Sequence, residues 1–180
     1  VNEKPFVPVS FAVLTVSDTR NLAEDKSGAM LAERIEAAGH KLAARAIVKD
    51  EIRAIRAKVR GWIKDKKIDA VITTGGTGFT GRDITPEAVE PLFEKRMDGF
   101  SIVFHRISYE KINSSTIQSR ATAGVANSTY IFCLPGSPGA CRDAWDGILV
   151  HQFDLRHKPC NFVEIMPRLD EHLKRPKLKK

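Results

Sequence analysis

The chain has 180 residues, 42% of them hydrophobic, and a net charge of +7. This length suits one compact α/β domain with its own core, and the apolar content excludes a chain disordered beyond its ends. No apolar run approaches the roughly 20 residues needed to cross a bilayer, and Val1-Asn2-Glu3-Lys4-Pro5 lacks the basic-then-apolar order of a signal peptide, so a cytoplasmic protein is expected.

Phe11 to Val16 is a nearly continuous apolar run, the signature of a strand covered on both faces of a parallel sheet. A polar loop, Ser17-Asp18-Thr19-Arg20, leads to a helix from Gly28 to about Ala38, with Ser27 as the expected cap and Gly39 as the stop. Lys41 to Val48 reads as a second strand. Asp50 sits at the turn into a helix that spaces Ile52, Ile55, Val59, Trp62 and Ile63 along one apolar stripe. Ile68 to Thr74 is a third strand.

That third strand runs into Gly75-Gly76-Thr77-Gly78-Phe79-Thr80-Gly81-Arg82-Asp83-Ile84-Thr85-Pro86-Glu87. Strand, glycine-rich turn and helix start form an anion-binding arrangement, because glycine lets the backbone approach the ligand and the first N–H groups of a helix lack partners. Thr85 is the expected cap and Pro86 the first helical residue, with helix continuing to about Arg96 and bent at Pro91. A second helical piece restarts at Asp98-Gly99-Phe100. A polar stretch from Asn113 to Arg120 and a run of small residues from Ala121 to Ala126 follow, where backbones pack closely or approach a ligand. Thr129 to Leu134 is the fourth predicted strand. It ends in Pro135-Gly136-Ser137-Pro138-Gly139, and a long helix follows with Ala144, Ile148, Leu149 and Phe153 inward. From Pro159 the chain reads as an extended tail with one apolar piece, Phe162 to Met166.

Strands alternating with helices predict a three-layer, doubly wound α/β fold with a mostly parallel sheet and right-handed crossovers. The core spans about 10–157, the tail 158–180, and no linker divides the chain. Ligands of such folds bind beyond the carboxyl ends of the strands. Asp18, Asp50, Gly75 to Asp83 and Pro135 to Pro138 all fall on that rim. Two glycine-bearing turns and three carboxylates there make a phosphate-and-magnesium site plausible on chemical grounds, although Asp18 and Asp50 fit helix caps equally well.

Familiar nucleotide motifs fit poorly. Gly76 to Gly81 matches GxGxxG, but the preceding strand is the third and four residues separate Gly81 from Pro86. Arg82-Asp83 replace the Lys-Ser/Thr of a P-loop; in their place Asp83 is suited to a metal and Arg82 to a phosphate. Cys133, Cys141 and Cys160 form no CxxC pair, and His151, His157 and Cys160 are read as polar residues near a helix end. The basic tail Lys174 to Lys180 is expected to be solvated. The remaining positive charge is dispersed without an aromatic platform, so neither nucleic acid nor membrane is an expected partner.

Thr74 to Gly78 with Arg82-Asp83-Ile84-Thr85-Pro86-Glu87 resembles the signature of the molybdopterin-binding family of molybdenum cofactor biosynthesis. Leu134 to Pro138, Gln118-Ser119-Arg120 and Asp25-Lys26-Ser27-Gly28 fit the same pattern. The likeness runs in order from about residue 10 to 157. The segments Gln118 to Asn127 and Lys158 to Phe162 point to the bacterial B group within that family. The resemblance implies trimers, or hexamers built as dimers of trimers, and transfer of AMP from ATP to the terminal phosphate of molybdopterin. It implies Asp50 and Asp83 as catalytic carboxylates holding Mg²⁺. Gly75, Gly76, Thr77 and Gly78 would cradle a phosphate, Pro135, Gly136 and Ser137 would form a second anion site, and Ser119 and Arg120 would lie near the pterin. Some members of the B group resemble non-catalytic binders of molybdopterin or nucleotide, so a carrier or scaffold in the same pathway is the second expectation.

Overall fold

The computed structural model describes residues 4–174; the basic tail from Arg175 onward and the first three residues lie outside the described residues. Its strands, β1 (Ser10–Val16), β2 (Lys41–Val48), β3 (Ala70–Thr74), β4 (Lys95–Arg96), β5 (Thr122–Ala126) and β6 (Thr129–Leu134), form one six-stranded sheet in the order β2-β1-β3-β6-β5-β4. The β2–β1, β1–β3 and β3–β6 pairs are parallel, whereas β6–β5 and β5–β4 are antiparallel. The expected doubly wound, mostly parallel α/β sheet is therefore present.

The helices are α1 (Lys26–Ala37), α2 (Ile52–Lys64), α3 (Thr85–Val89), α4 (Asp98–Ile112), α5 (Pro138–Ala144), α6 (Val150–Gln152) and α7 (Phe162–Ile165). They cover both faces of the sheet. Phe11 and Val13 of β1 point to the face packed by Leu31 and Ile35 of α1, Phe100 and Phe104 of α4, and Trp145 and Phe153. Ala12, Leu14 and Val16 point to the face packed by Ile55 and Val59 of α2 and Ala88 and Val89 of α3. This two-sided burial explains why the central strands read as continuous apolar runs. The long C-terminal helix is α5 and α6 joined through a π-turn at Trp145–Leu149.

Several local expectations are corrected. The helix after the glycine loop ends at Val89; a 3₁₀ turn, Glu90–Leu92, carries Pro91, and Lys95–Arg96 is an edge strand. The small-residue run is β5, made into a strand by its pairing with β6 rather than by strand-forming side chains. Asp25, not Ser27, caps α1 by accepting from the Gly28 N–H at 2.9 Å. Thr85 does not cap α3, and neither Asp18 nor Asp50 caps a helix; Glu51 occupies the cap position of α2. The segment after Pro159 is not extended: α7 folds back, with Phe162 against Tyr130 and Phe153. Among the described residues no helix is long and apolar enough to cross a membrane.

Candidate functional site

The carboxyl ends of β1, β3 and β6 open on one rim. The strand order reverses between β1 and β3, because β1 is followed outward by β2 on one side and by β3 on the other. Gly75 sits at that reversal. Its N–H donates to the Leu134 carbonyl at 3.0 Å and its φ is +104°. A Cβ there would collide with the Val16 carbonyl, and one on Gly76 (φ +68°) with Thr85 Oγ1. Only glycine fits this turn.

The turn's hydrogen bonds are lopsided. Thr85 Oγ1 donates to the Gly75 carbonyl at 2.8 Å and the Thr85 N–H to that of Gly76 at 2.9 Å. The Arg120 N–H takes the Thr77 carbonyl at 2.9 Å, and Arg120 Nε takes that of Gly78 at 2.9 Å. Every carbonyl from Gly75 to Gly78 is thus occupied, while the N–H groups of Gly76, Thr77 and Gly78 donate to no acceptor among the described residues. Consecutive free amides held by a fixed backbone form a nest for an anion.

The β1–β2 side of the rim is acidic. Arg82 grips Asp18 through two bonds of 2.9 and 2.8 Å, and Asp18 also accepts from the Asp50 N–H at 3.2 Å. Arg82 is thus paired with Asp18 through Nε and Nη2, and its side chain remains largely exposed. The guanidinium holds the exposed Asp18 carboxyl below its ordinary range. Asp50 behaves oppositely: desolvation first, then the nearby Asp18 charge, push its carboxyl up. One Asp50 oxygen lies 3.2 Å from where a Gly76 Cβ would stand, and the carboxylate accepts no hydrogen bond among the described residues. Asp83 contributes a further negative charge to Asp50. One Asp83 oxygen accepts from Thr80 N–H at 2.9 Å and Thr80 Oγ1 at 2.7 Å. Three carboxylates against one arginine suit a divalent cation with oxygen ligands. Among the described residues no three His, Cys, Asp or Glu side chains form a complete metal cluster, so an ion here needs ligand oxygens as well. His151 and His157 lie near each other with ring centroids 5.5 Å apart, but with the exposed Cys160 they make no such cluster.

The turn after β6 closes the rim. Gly136 packs on Gly75 so tightly that a Cβ would stand 3.3 Å from the Gly75 Cα. Ser27 Oγ donates to the Gly136 carbonyl at 2.8 Å, and Thr74 Oγ1 to that of Pro135 at 2.9 Å. Ser137 caps α5, its Oγ accepting from the Ala140 N–H at 3.2 Å, which leaves the hydroxyl proton available. Burial pushes the neighbouring Cys141 thiol up to about 11, which favours its neutral form.

Ser119 and Arg120 stand behind the loop. Arg120 also donates to the Asp83 carbonyl at 2.8 Å, pairs with Glu87, and lies 5.6 Å over the Phe79 ring. It is a brace for the glycine loop. Ser119 and Arg120 both line a cleft of about 360 Å³ shared with His105, Arg96 and Thr122, and among the described residues the Ser119 Oγ is buried without a partner.

The family described as Probable molybdopterin binding domain matches residues 12–156. This chain belongs to that family. The molybdenum cofactor biosynthesis protein B of Escherichia coli K12 is 49% identical over 157 residues, covering 87% of this chain and 92% of that one. Its counterpart in Bacillus subtilis 168 is 47% identical over 139 residues, covering 77% and 82%. A crystal structure of a molybdenum cofactor biosynthesis protein B superposes with a TM-score of 0.84 at 36% identity, covering 93% of this chain and 99% of that one. All three are B proteins, the group to which residues 118–127 and 158–162 point. Within this molybdopterin-binding fold, the residues that sequence reasoning left unassigned are Thr85, which ties down two loop carbonyls, and Ser27, which orients the Gly136 turn. Ser27 lies in the Asp25-Lys26-Ser27-Gly28 segment, and Thr85 in the glycine-loop signature, where both fit helix caps.

Proposed function

We propose that this chain acts in molybdenum cofactor biosynthesis as a Mg²⁺-dependent molybdopterin adenylyltransferase. The observation that carries this reading is the junction at Gly75 and Gly76: a loop with free amides abuts a carboxylate with no hydrogen-bond donor. Adenylyl transfer brings two polyanions together, so its chief requirements are alignment and charge neutralisation. A terminal phosphate oxygen of molybdopterin bonds to the α-phosphorus of ATP, the α–β bridging P–O bond breaks, and pyrophosphate leaves. Gly76, Thr77 and Gly78 hold phosphate oxygens through their amides, and the Ser137 hydroxyl beside Gly136 donates to a second phosphate. Asp50 and Asp83 are the residues that would hold Mg²⁺, which when bound neutralises phosphate charge. Ser119 and Arg120 line the cleft beside the loop and would face the pterin there.

Self-association as a trimer or hexamer belongs to the same reading. Ile102 and Tyr109, seven residues apart on one face of α4, are 70% and 56% exposed, and Ile112 and Ile117 extend the apolar surface. Sedimentation at micromolar concentration tests it, and a monomer refutes it.

The test of the activity is purified protein with molybdopterin and Mg-ATP, read by pyrophosphate release. Release above blank, requiring all three components, is expected. Binding of molybdopterin with no release overturns the enzyme and leaves the carrier.

A further inference from the structure

Arg20 lies in the loop between β1 and α1, two residues after Asp18, and its side chain reaches the Gly136 turn. Its backbone is fixed. Ser17 Oγ accepts from the Thr19 and Arg20 N–H groups at 3.3 and 3.2 Å, and Asn21 Oδ1 accepts from Ala23 and Glu24 at 2.9 and 3.1 Å. Beneath it the buried Asp25 carboxylate takes Thr15 Oγ1 at 2.7 Å, the Gly28 N–H at 2.9 Å and Arg45 Nη2 at 2.9 Å. This anchor holds the loop over the Gly136 turn.

The nearby arginines are each paired with a carboxylate. Arg82 is paired with Asp18, Arg45 with Asp25 and Arg120 with Glu87. Arg20 forms no ion pair among the described residues. Among the described residues its side chain's one hydrogen bond runs from Nη1 to the Gly136 carbonyl at 3.4 Å, long for such a bond, and that carbonyl already accepts from Ser27 at 2.8 Å. A guanidinium has five donors in a planar fork that matches phosphate. Here the fork is positioned by the backbone and almost unused. Gly136, which it touches, packs directly on Gly75 at the start of the free-amide loop.

We propose that Arg20 is a phosphate-binding residue of this rim, supplying a guanidinium that is not already paired with a carboxylate as Arg82 and Arg120 are. The proposal rests on the adenylyltransferase reading and adds to it a specific ligand contact. The phosphate comes either from the nucleotide's polyphosphate or from the pterin's phosphate monoester, and kinetics separates them.

The experiment titrates the full chain calorimetrically with pyrophosphate, without metal, for the wild type, Arg20→Ala and Arg20→Lys. Arg20→Ala is expected to bind roughly tenfold or more weakly, as for loss of a charge-assisted bond, with Arg20→Lys between and melting temperatures unchanged. Arg20→Gln, which keeps the length and loses the charge, is expected to match Arg20→Ala and serves if the alanine variant folds poorly. Steady-state transfer then identifies the source: a raised KM for ATP alone marks the nucleotide, and one for molybdopterin alone marks the pterin, with kcat little changed. Equal pyrophosphate affinity in all variants overturns the role of Arg20 and leaves the adenylyltransferase reading standing. No binding of pyrophosphate by the wild type overturns the role of Arg20 as well, whereas the adenylyltransferase reading falls only if pyrophosphate release from molybdopterin and Mg-ATP is absent.

Discussion

On the β3–β6 side of the rim the carbonyls of Gly75 to Gly78 are all engaged by Thr85 and Arg120, and the amides of Gly76 to Gly78 are left over. On the β1–β2 side Arg82 is paired with Asp18, and the Asp50 carboxylate accepts no hydrogen bond among the described residues. One region has surplus donors and the other surplus acceptor charge, and they meet at Gly76, whose missing side chain lets Asp50 approach. Using up one kind of group leaves one side with free donors and the other with free negative charge.

The largest effects should come from removing the acceptor charge. Asp83→Asn and Asp50→Asn are each expected to lower transfer by about 100-fold or more while molybdopterin binding persists, measured by pyrophosphate release and calorimetry. Asp50→Asn should also raise the melting temperature of the ligand-free protein at neutral pH. Its carboxyl is pushed up in the fold, so ionising it costs stability that an amide does not. Normal transfer in either variant breaks the assignment of the acidic side.

Next comes the junction. Gly75→Ala forces a left-handed backbone and a clash with the Val16 carbonyl, and is expected to cost roughly 2 to 4 kcal/mol in urea unfolding. Gly81→Ala, with nothing within 4 Å of the added carbon, should be close to neutral. Equal costs at the two glycines contradict the account of the turn. Arg120→Met removes the bonds to the Gly78 and Asp83 carbonyls, and should cost about 1 to 2 kcal/mol and speed amide exchange across residues 77–83.

The smallest effect lies away from the rim and is its control. His40 is buried, its Nδ1 accepts the Val9 N–H at 3.2 Å, and desolvation lowers its pKa from the ordinary 6.5. Its neutral form is favoured by folding, so that stability is present above about pH 6.5 and is lost as pH falls through the lower folded value. The melting temperature should drop between pH 7 and 5, and His40→Gln should flatten the slope without changing phosphate affinity at pH 7.5.

The parts legible in the sequence were those with local causes. β1, β3 and β6 announce themselves as apolar runs because both faces of the sheet are covered. The glycine loop announces itself because its backbone tolerates little else. What stayed hidden depended on distant partners. β5 has the small side chains Ala123, Gly124 and Ala126, and becomes a strand only because β6 lies beside it. Thr85 looks like a helix cap, but its hydroxyl is captured by the Gly75 carbonyl ten residues earlier. Asp25 outcompetes Ser27 as cap because Arg45, on the neighbouring strand, makes its burial tolerable. Arg82 and Arg120 are both visible as rim cations, yet only the fold tells that each already has a carboxylate.

The division of the rim is tested most directly by ATP binding with and without Mg²⁺, in the wild type and in Asp50→Asn. Mg²⁺ should tighten ATP binding to the wild type and have little effect on the variant, whose metal-free affinity for ATP should equal or exceed that of the wild type. An equal Mg²⁺ enhancement in both proteins would contradict the account, because the cation would then be held elsewhere than beside Gly76.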